Sequence, residues 1–341
     1  TLWTRFLRVN PEDPTWPNRD RFILSAGHGS MLLYSLLHLA GFDMPIEELK
    51  RFRQWDSLTP GHPEYGLTEG VETTTGPLGQ GFSNGVGMAI AAKMAAARYN
   101  TPEHRIVDHF IYAIVSDGDL MEGVTSEAAS LAGHLGLGNL IYLYDDNRIS
   151  IEGSTDLAFT EDRGKRFEAY GWQVLYIDGH DCAAAARAIE EAQADTERPT
   201  LIVARTHIAQ GAPNAVDTAE SHGAPLGAEE VQATKENLGW PLEPTFLIPD
   251  EVRELFARRN AEVREEYLAW QKTCAAWEAA NPDLAAERAA AMAKRLPDDL
   301  EEQLLAALPA KANATRRLSG DVIQKIHALV PYMVGGSADL S

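Results

Sequence analysis

Residues 109–147, HFIYAIVSDGDLMEGVTSEAASLAGHLGLGNLIYLYDDN, decide the fold of this 341-residue chain. The apolar runs at 109–116 and 140–144 each predict a short buried strand. The Ala- and Leu-rich segment 122–136 between them is long enough for a helix and has glycines to end it. Because a strand–helix–strand unit of this size places its two strands parallel, the stretch predicts an α/β fold built on a parallel sheet.

Polar side chains follow both predicted strands. Asp117, in Ser-Asp-Gly, comes directly after the first strand, and Asn147, in Asp-Asp-Asn, follows the second thirty residues later. Open α/β sheets bind ligands at the carboxyl ends of their strands, and a helix beginning near Glu122 presents its positive end to an anion. Since Mg²⁺ shares oxygen ligands between protein carboxyl groups and phosphates, the pair predicts a magnesium–diphosphate site. Each tripeptide alone is more often a turn than a ligand site.

The rest of the chain repeats the alternation of strands and helices. Further strands are predicted at 21–25, 172–177 and 200–205, and further helices at 31–40, 81–99 and 182–194. The polar segment 59–81 between them has the length of a functional loop. Beyond residue 227 the sequence becomes Ala- and Glu-rich and is interrupted by prolines up to about residue 311. We therefore predict a parallel sheet with helices on both faces, followed by a helical connector.

Composition excludes several classes of partner. An apolar content of 45% supports a substantial core, and no apolar run is long enough to span a membrane. A net charge of −20 argues against nucleic acid, although a locally positive pocket can still bind a phosphorylated small molecule. Cys182 and Cys274 match no metal-binding spacing, and so few cysteines suit a reducing cytoplasm. We expect a cytoplasmic protein that binds neither nucleic acid nor membranes.

A glycine-rich loop forms the second notable segment, TTTGPLGQG at 73–81. Its glycines allow the backbone to approach a flat ligand closely, and Pro77 fixes its own φ. The pattern alone is also typical of an ordinary loop that leads into a helix. Two other motif matches begin here, a G-x-S-x-G nucleophile elbow at 81–85 and a loose dinucleotide fingerprint at 79–85. Both require a preceding strand, and none is predicted.

Three histidines lie in glycine-containing loops near predicted strand ends: His28 in Gly-His-Gly-Ser, His62 in Pro-Gly-His-Pro and His222 in Ser-His-Gly-Ala. A single loop histidine is usually a surface or capping residue. None of the three has the i, i+4 spacing of a helical zinc pair, so a transition-metal site is not expected. Together they suggest a pocket at the strand ends.

Taken together, these segments resemble the transketolase family of thiamine-diphosphate enzymes. The matching segments, in chain order, are 20–30, 59–64, 70–81, 117–123, 145–151, 221–227 and 335–340. The resemblance implies transfer of a two-carbon glycolaldehyde unit from a ketose phosphate to an aldose phosphate, in the pentose phosphate pathway. It also implies thiamine diphosphate with Mg²⁺, Ca²⁺ or another divalent cation, and a homodimer with the cofactor at the subunit interface.

The resemblance further implies roles for individual residues. The metal would be bound by the side chains of Asp117 and Asn147 and the backbone carbonyl of Ile149. The cofactor would be contacted by Gly76, Pro77, Leu78, Asp117, Gly118, Asn147, Ile151, His222 and Asp339. Catalytic roles would fall to His28, His62, His222 and Glu122, the last within an acidic network at the dimer interface. Phosphorylated sugars would be bound by His28, His62, His222 and Arg316.

The chain departs from the family pattern in places. Ser116 stands where the family commonly has glycine, so it must lead into the diphosphate loop without a positive φ. The implied domains are a diphosphate-binding α/β domain at 1–283 that lacks its extreme N-terminus, a helical linker at 284–315, and the start of a pyrimidine-binding domain at 316–341. We expect a truncated piece that is inactive alone.

Three alternatives remain open. The first is another thiamine-diphosphate enzyme, such as 1-deoxyxylulose-5-phosphate synthase or phosphoketolase, against which His62 and segment 70–81 argue. The second is a non-catalytic binding module, disfavoured because the metal-site pair and the three histidines occur together. The third is a naturally split transketolase, disfavoured by segment 335–340, which normally begins the pyrimidine-binding domain.

Overall fold

The computed structural model describes residues 1–336 and contains a five-stranded parallel sheet. The strands are β1 (Arg21–Leu24), β2 (Ile111–Ser116), β3 (Leu140–Asp146), β4 (Ile149–Ser150), β5 (Gly153–Ser154), β6 (Gln173–Asp178) and β7 (Thr200–Arg205). The sheet order is β1-β2-β3-β7-β6 with every pair parallel, and β4 and β5 form a separate small antiparallel pair. The predicted fold class is confirmed.

Helices connect the strands and make up most of the remaining chain. They are α1 (Leu2–Arg5), α2 (Ser30–Ala40), α3 (Ile46–Lys50), α4 (Gln80–Tyr99), α5 (Asp117–Met121), α6 (Gly123–His134), α7 (Arg163–Ala169), α8 (Cys182–Ala194), α9 (Ala228–Asn237), α10 (Asp250–Ala280), α11 (Pro282–Met292), α12 (Leu300–Ala306) and α13 (Thr315–Leu329). Helix α8 and strand β7 have the bounds expected from the sequence.

The helix predicted at 122–136 is present as α6, and a short helix that was not predicted precedes it. Helix α5 begins at Asp117, directly at the end of β2, and α6 follows it. The Ser116 side chain caps α5 in a reciprocal capping box with Asp119, which starts a helix directly at the strand end. Glu122 then has an extended conformation, φ −71° and ψ 139°, and separates the two helices.

Hydrophobic side chains fill both faces of the sheet, because successive strand residues point in opposite directions. On β2, Ile111, Ala113 and Val115 belong to one core cluster and Tyr112 to the other. The cluster around Tyr112 contains residues of α2 and α8, whereas the opposite cluster contains residues of α4, α6 and α7. Helices therefore cover both faces, as predicted, and the sheet is rigidly held between them.

The chain divides into two compact units, Thr1–Thr273 and Cys274–Ser341. The first contains the parallel sheet, and the second contains α11, α12 and α13. The boundaries predicted at residues 283 and 315 stay predictions. Within residues 1–336, no helix has the length and apolar character needed to cross a bilayer.

Candidate active site

Strands β2 and β3 bring the two predicted metal ligands to the same edge of the sheet. They pair in register, with Ser116 opposite Asp145, so Asp117 and Asn147 leave neighbouring strands at their carboxyl ends. The two loops are joined directly, because the Arg148 backbone N–H donates to Asp117 Oδ2 over 3.2 Å. The Asp117 carboxylate is therefore bonded to the turn that carries Asn147.

Asp117 is a buried carboxylate whose hydrogen-bond donors are uncharged. Its relative exposure is 3%, and its other oxygen, Oδ1, accepts the Tyr144 hydroxyl. Burial raises the pKa of Asp117 to about 6, while the Tyr144 hydrogen bond lowers the pKa and nearby Asp146 raises it further. A carboxylate that has lost water favours an incoming cation, which replaces part of the missing solvation. The environment of Asp117 thus fits a divalent ion.

The turn after β3 orients the second oxygen donor. Asn147 donates from Nδ2 to Asp145 Oδ2 over 3.0 Å and accepts the Ile149 N–H at Oδ1 over 2.9 Å. Arg148 between them has a φ of +64°, uncommon for a residue with a side chain and typical of strained functional turns. A carboxylate, an amide oxygen and a backbone carbonyl form a hard-donor set that suits Mg²⁺ or Ca²⁺.

The described part of the chain contains no group of three or more His, Cys, Asp or Glu side chains that could hold a metal ion. The predicted ligand set of Asp117, Asn147 and the Ile149 carbonyl includes only one such side chain. Substrate or cofactor phosphates would therefore have to complete the coordination, as they commonly do for Mg²⁺.

Two of the three predicted histidines are in direct contact. The rings of His28 and His222 stack with centroids 4.8 Å apart and an interplanar angle of 23°. Burial lowers the pKa of His28, and His222 and His62 lower it further, against the opposing effects of Asp119 and Asp145. Burial also lowers the pKa of His222, opposed by the backbone of Ile149 and by Asp145. Both imidazoles are consequently neutral near pH 7.

The glycine-rich loop packs over the same strand ends. Gly76 has a φ of +135°, and a Cβ added there would lie 3.1 Å from Cγ of His62. A Cβ added at Gly118 would lie 2.9 Å from Leu78 Cδ1, so the loop rests directly on the Asp117–Gly118 turn. The glycine-rich loop therefore contacts both His62 and the Asp117–Gly118 turn. Its glycines leave the backbone accessible to a ligand at this place.

The other predicted residues that the structure describes are exposed. Glu122 is exposed at the start of α6, Ile151 is 70% exposed between β4 and β5, and Pro77 is exposed in its loop. Arg316 lies exposed in the first turn of α13, within the second compact unit. Asp339 lies outside the described residues. The roles of all five stay predictions.

Two residues at the site were not identified from the sequence. Asp119 is fully buried and binds both the glycine-rich loop and the end of β1, and Tyr144 binds Asp117. The Ser-x-x-Asp spacing from Ser116 to Asp119 resembles a capping box and is a signal that points to Asp119. Tyr144 ends an apolar run, where a tyrosine is indistinguishable from a core residue.

Comparison with known proteins agrees with this geometry. The family model described as "Transketolase, thiamine diphosphate binding domain" matches residues 1–297. A transketolase of Geobacillus stearothermophilus is 54% identical over 346 residues, covering 100% of this chain and 51% of the relative. Transketolase 1 of Escherichia coli is 52% identical over 347 residues, covering 100% of this chain and 52% of the relative.

Solved structures give the same result. A transketolase from Leishmania mexicana superimposes with a TM-score of 0.93 at 43% identity, over 99% of this chain and 50% of that chain. A Pichia stipitis transketolase in complex with sedoheptulose-7-phosphate has a TM-score of 0.91 at 47% identity, over 98% and 50%. The chain spans about half the length of these relatives. From the fold, the site geometry and these matches, the chain belongs to the transketolase family.

Proposed function

We propose that the full-length protein is a transketolase that transfers a two-carbon glycolaldehyde unit from a ketose phosphate to an aldose phosphate. The observation that carries the proposal is the meeting of Asp117, Asn147 and the stacked pair His28–His222 at the carboxyl ends of neighbouring parallel strands. Family membership supports the same reaction over the alternatives, because relatives that are 52–54% identical over the whole chain are named transketolases.

The residues present fit thiamine diphosphate and a divalent ion. We propose that Asp117 and Asn147, with the Ile149 carbonyl, bind the cation, and that the diphosphate lies against Gly118. The burial of Asp117, whose hydrogen-bond donors are uncharged, favours that arrangement. When bound, the cofactor supplies a nucleophilic carbon that carries the two-carbon unit between the sugars, while the protein supplies binding and orientation.

The histidines suit proton transfer and the recognition of sugar oxygens. Because burial lowers the pKa values of His28 and His222, each ring has one nitrogen that donates and one that accepts near pH 7. Neutral imidazoles can polarise a hydroxyl or carbonyl oxygen and exchange a proton with it. His62, held against Gly76, is proposed to bind the same end of the sugar.

Phosphorylated sugars are the proposed substrates. The Pichia stipitis relative was solved with sedoheptulose-7-phosphate, which supports this substrate class. We propose that Arg316 binds the sugar phosphate, because its planar guanidinium matches a phosphate with two parallel hydrogen bonds. Glu122, Pro77, Ile151 and Asp339 are proposed to act as the family resemblance implies. A cytoplasmic location is proposed because both cysteines, Cys182 and Cys274, are free thiols.

A two-substrate assay on the purified full-length protein tests the reaction. With a ketose phosphate donor and an aldose phosphate acceptor, we expect products that differ from the substrates by two carbons, and activity that requires thiamine diphosphate and Mg²⁺. Consumption of inorganic phosphate with formation of acetyl phosphate would instead indicate a phosphoketolase, and carbon dioxide release from pyruvate would indicate a 1-deoxyxylulose-5-phosphate synthase. Absence of all three activities, with cofactor still bound, would support a binding module.

A further inference from the structure

Asp119 accepts hydrogen bonds from four donors in the interior of the protein. Oδ1 accepts the Ser25 hydroxyl over 2.7 Å and the Gly79 N–H over 2.8 Å. Oδ2 accepts the Ser116 N–H over 2.9 Å and the Ser116 hydroxyl over 3.0 Å. The side chain is 0% exposed, so these bonds replace its water completely. Four donors fill the ordinary capacity of a carboxylate.

The four donors come from three separate parts of the chain. Ser25 directly follows β1, Ser116 ends β2 and caps α5, and Gly79 lies in the glycine-rich loop just before α4. The Ser25 hydroxyl also accepts the Phe82 N–H over 3.0 Å, which extends the connection into the first turn of α4. Through these hydrogen bonds, Asp119 links the loop to the carboxyl ends of β1 and β2.

The loop depends on such external bonds for its shape. Gly76 and Gly79 have φ values of +135° and +77°, and residues 73–79 contain neither helix nor strand. The start of α4, directly after the loop, also lies unusually close to the end of β1, since a Cβ added at Gly81 would be 2.7 Å from Ser25 Cα. A backbone in this conformation has few intrinsic preferences that maintain it, so buried bonds to its N–H groups determine where it lies.

We infer that Asp119 is a positioning residue for the cofactor site, through which the Gly76–Leu78 backbone is held over the Asp117–Gly118 turn. This inference rests on the proposed function, because it takes the Gly118 side of the site to hold the diphosphate and the Gly76–Leu78 loop to contact the rest of the cofactor. Asp119 itself is fully buried and acts only through Ser25, Gly79 and Ser116. A carboxylate is required, because an asparagine would direct N–H groups at two of the four donors.

Ser25→Ala in the full-length protein is the most selective test. It removes the hydroxyl that links Asp119 to the loop side and leaves the Ser116 cap of α5 intact. Two probes separate the effects: thiamine diphosphate with Mg²⁺ contacts both the loop and the turn, whereas inorganic pyrophosphate with Mg²⁺ contacts only the turn. Calorimetry should show an affinity for thiamine diphosphate lowered about tenfold, with the affinity for pyrophosphate changed less than about twofold.

Asp20→Asn provides a matched control at the amino end of β1, opposite the strand ends that carry the site. Asp20 is also a buried carboxylate, 1% exposed, and accepts the backbone N–H groups of Arg8 and Phe110 over 2.9 Å each. Its replacement should lower the thermal midpoint of unfolding at least as much as Ser25→Ala does. It should leave the affinity for thiamine diphosphate within about twofold of the wild type.

The outcomes separate this inference from the proposed function. Equal weakening of both probes in Ser25→Ala, or an unchanged affinity for thiamine diphosphate, overturns the positioning role. The same selective loss in Asp20→Asn also overturns it, since general destabilisation would then explain the result. A wild-type protein that binds no thiamine diphosphate overturns the proposed function itself. Asp119→Asn should lower thiamine diphosphate affinity beyond Ser25→Ala, and if it does not fold, the serine variant decides.

Discussion

At the scale of single residues, Asp117 shows what a sequence can and cannot predict about a site. Its position after an apolar strand was enough to place it beside Asn147, because strand ends in a parallel sheet share one edge. Its partners were not predictable: the Tyr144 hydroxyl and the Arg148 N–H reach it only after the two loops have folded. Ser116, with φ −116°, confirms that the serine needs no positive φ.

Arg148 offers a direct measure of strain in the Asn147–Ile149 turn. Its φ of +64° is unfavourable for most side chains, whereas asparagine tolerates that region better. Its side chain is 57% exposed and 3.8 Å from Asp146, so little ion-pair stabilisation is lost on replacement. Arg148→Asn should raise the free energy of unfolding by about 0.5–1 kcal/mol in urea titrations.

Arg105→Asn is the control for that measurement. Arg105 is 74% exposed in a loop of ordinary backbone conformation, so its replacement should change the free energy of unfolding by less than about 0.5 kcal/mol. A loss of stability in Arg148→Asn would show that the arginine side chain contributes more than its strained backbone costs.

His109 should make stability depend on pH. Burial lowers the pKa of His109 to about 3, with Arg21 and Arg8 lowering it further. The folded protein therefore keeps His109 neutral down to about pH 3, while the unfolded chain takes up this proton below its usual pKa of about 6.5. The contribution of His109 to the free energy of unfolding is complete above about pH 6.5 and decreases as the pH falls. At pH 5 it is smaller by about 2 kcal/mol.

His109→Gln checks the assignment through the pH dependence rather than the absolute stability. Urea unfolding at pH 7 and pH 5 should give a difference in free energy about 2 kcal/mol smaller than in the wild type. His134→Gln, which replaces an exposed histidine, should keep the wild-type difference. An unchanged difference in His109→Gln would mean that other groups cause the acid sensitivity.

At the scale of elements, periodicity and capping signals predict the bounds of helices and strands correctly where local preference and tertiary packing agree. The Ala-rich α8 and the apolar β7 have their predicted bounds, and segment 59–79 is a long loop that carries His62. Helix α6 begins within a residue of its predicted start at Glu122, but the short α5 before it was not predicted, because Ser-Asp-Gly was interpreted as a loop after the strand. The backbone of Glu122 is extended, and its side chain packs against Gly79. A Cβ added at Gly79 would lie 2.9 Å from the Cβ of Glu122.

Helix α4 provides a paired test of close packing. A Cβ at Gly85 would lie 2.1 Å from the hydroxyl of Tyr142, which is fully buried and donates to the Phe82 carbonyl over 2.6 Å. Gly85→Ala should therefore destabilise the protein by about 1–3 kcal/mol. Gly87 is exposed on the same helix with open space around it, so Gly87→Ala should stabilise by about 0.5–1 kcal/mol.

Thermal unfolding of both variants decides whether α4 lies as close to the sheet as the structure shows. Opposite shifts of the unfolding midpoint, downward for Gly85→Ala and upward for Gly87→Ala, are the expected result. A neutral Gly85→Ala would contradict the close contact between α4 and β3.

At the scale of the whole molecule, the family resemblance predicted a homodimer, and that prediction stays open. Exposed apolar side chains on α4 and at the end of α6 are compatible with a subunit interface: Met94 on α4 is 37% exposed, Leu131 on α6 is 46% exposed, and Leu135, which directly follows α6, is 44% exposed. We expect the full-length protein to sediment as a dimer. Leu131→Glu should raise its dimer dissociation constant about tenfold or more, because a buried charge is unfavourable at an interface.

Leu268→Glu is the control for the dimer, since Leu268 is 51% exposed on α10, away from α4 and α6 in the sequence. It should leave sedimentation unchanged. A wild-type monomer at all concentrations, or equal effects of both substitutions, would contradict an interface that includes α6.

Calorimetry tests most directly whether Asp117 and Asn147 bind a diphosphate through a divalent cation, as proposed. The wild-type full-length protein should bind thiamine diphosphate in the presence of Mg²⁺ and lose that binding when EDTA removes the metal. Asp117→Asn should weaken metal-dependent binding on the order of 100-fold. Asp178→Asn, which alters an exposed carboxylate at the end of β6, should bind as the wild type does. Binding that survives EDTA, or an Asp117→Asn variant with wild-type affinity, would contradict the account.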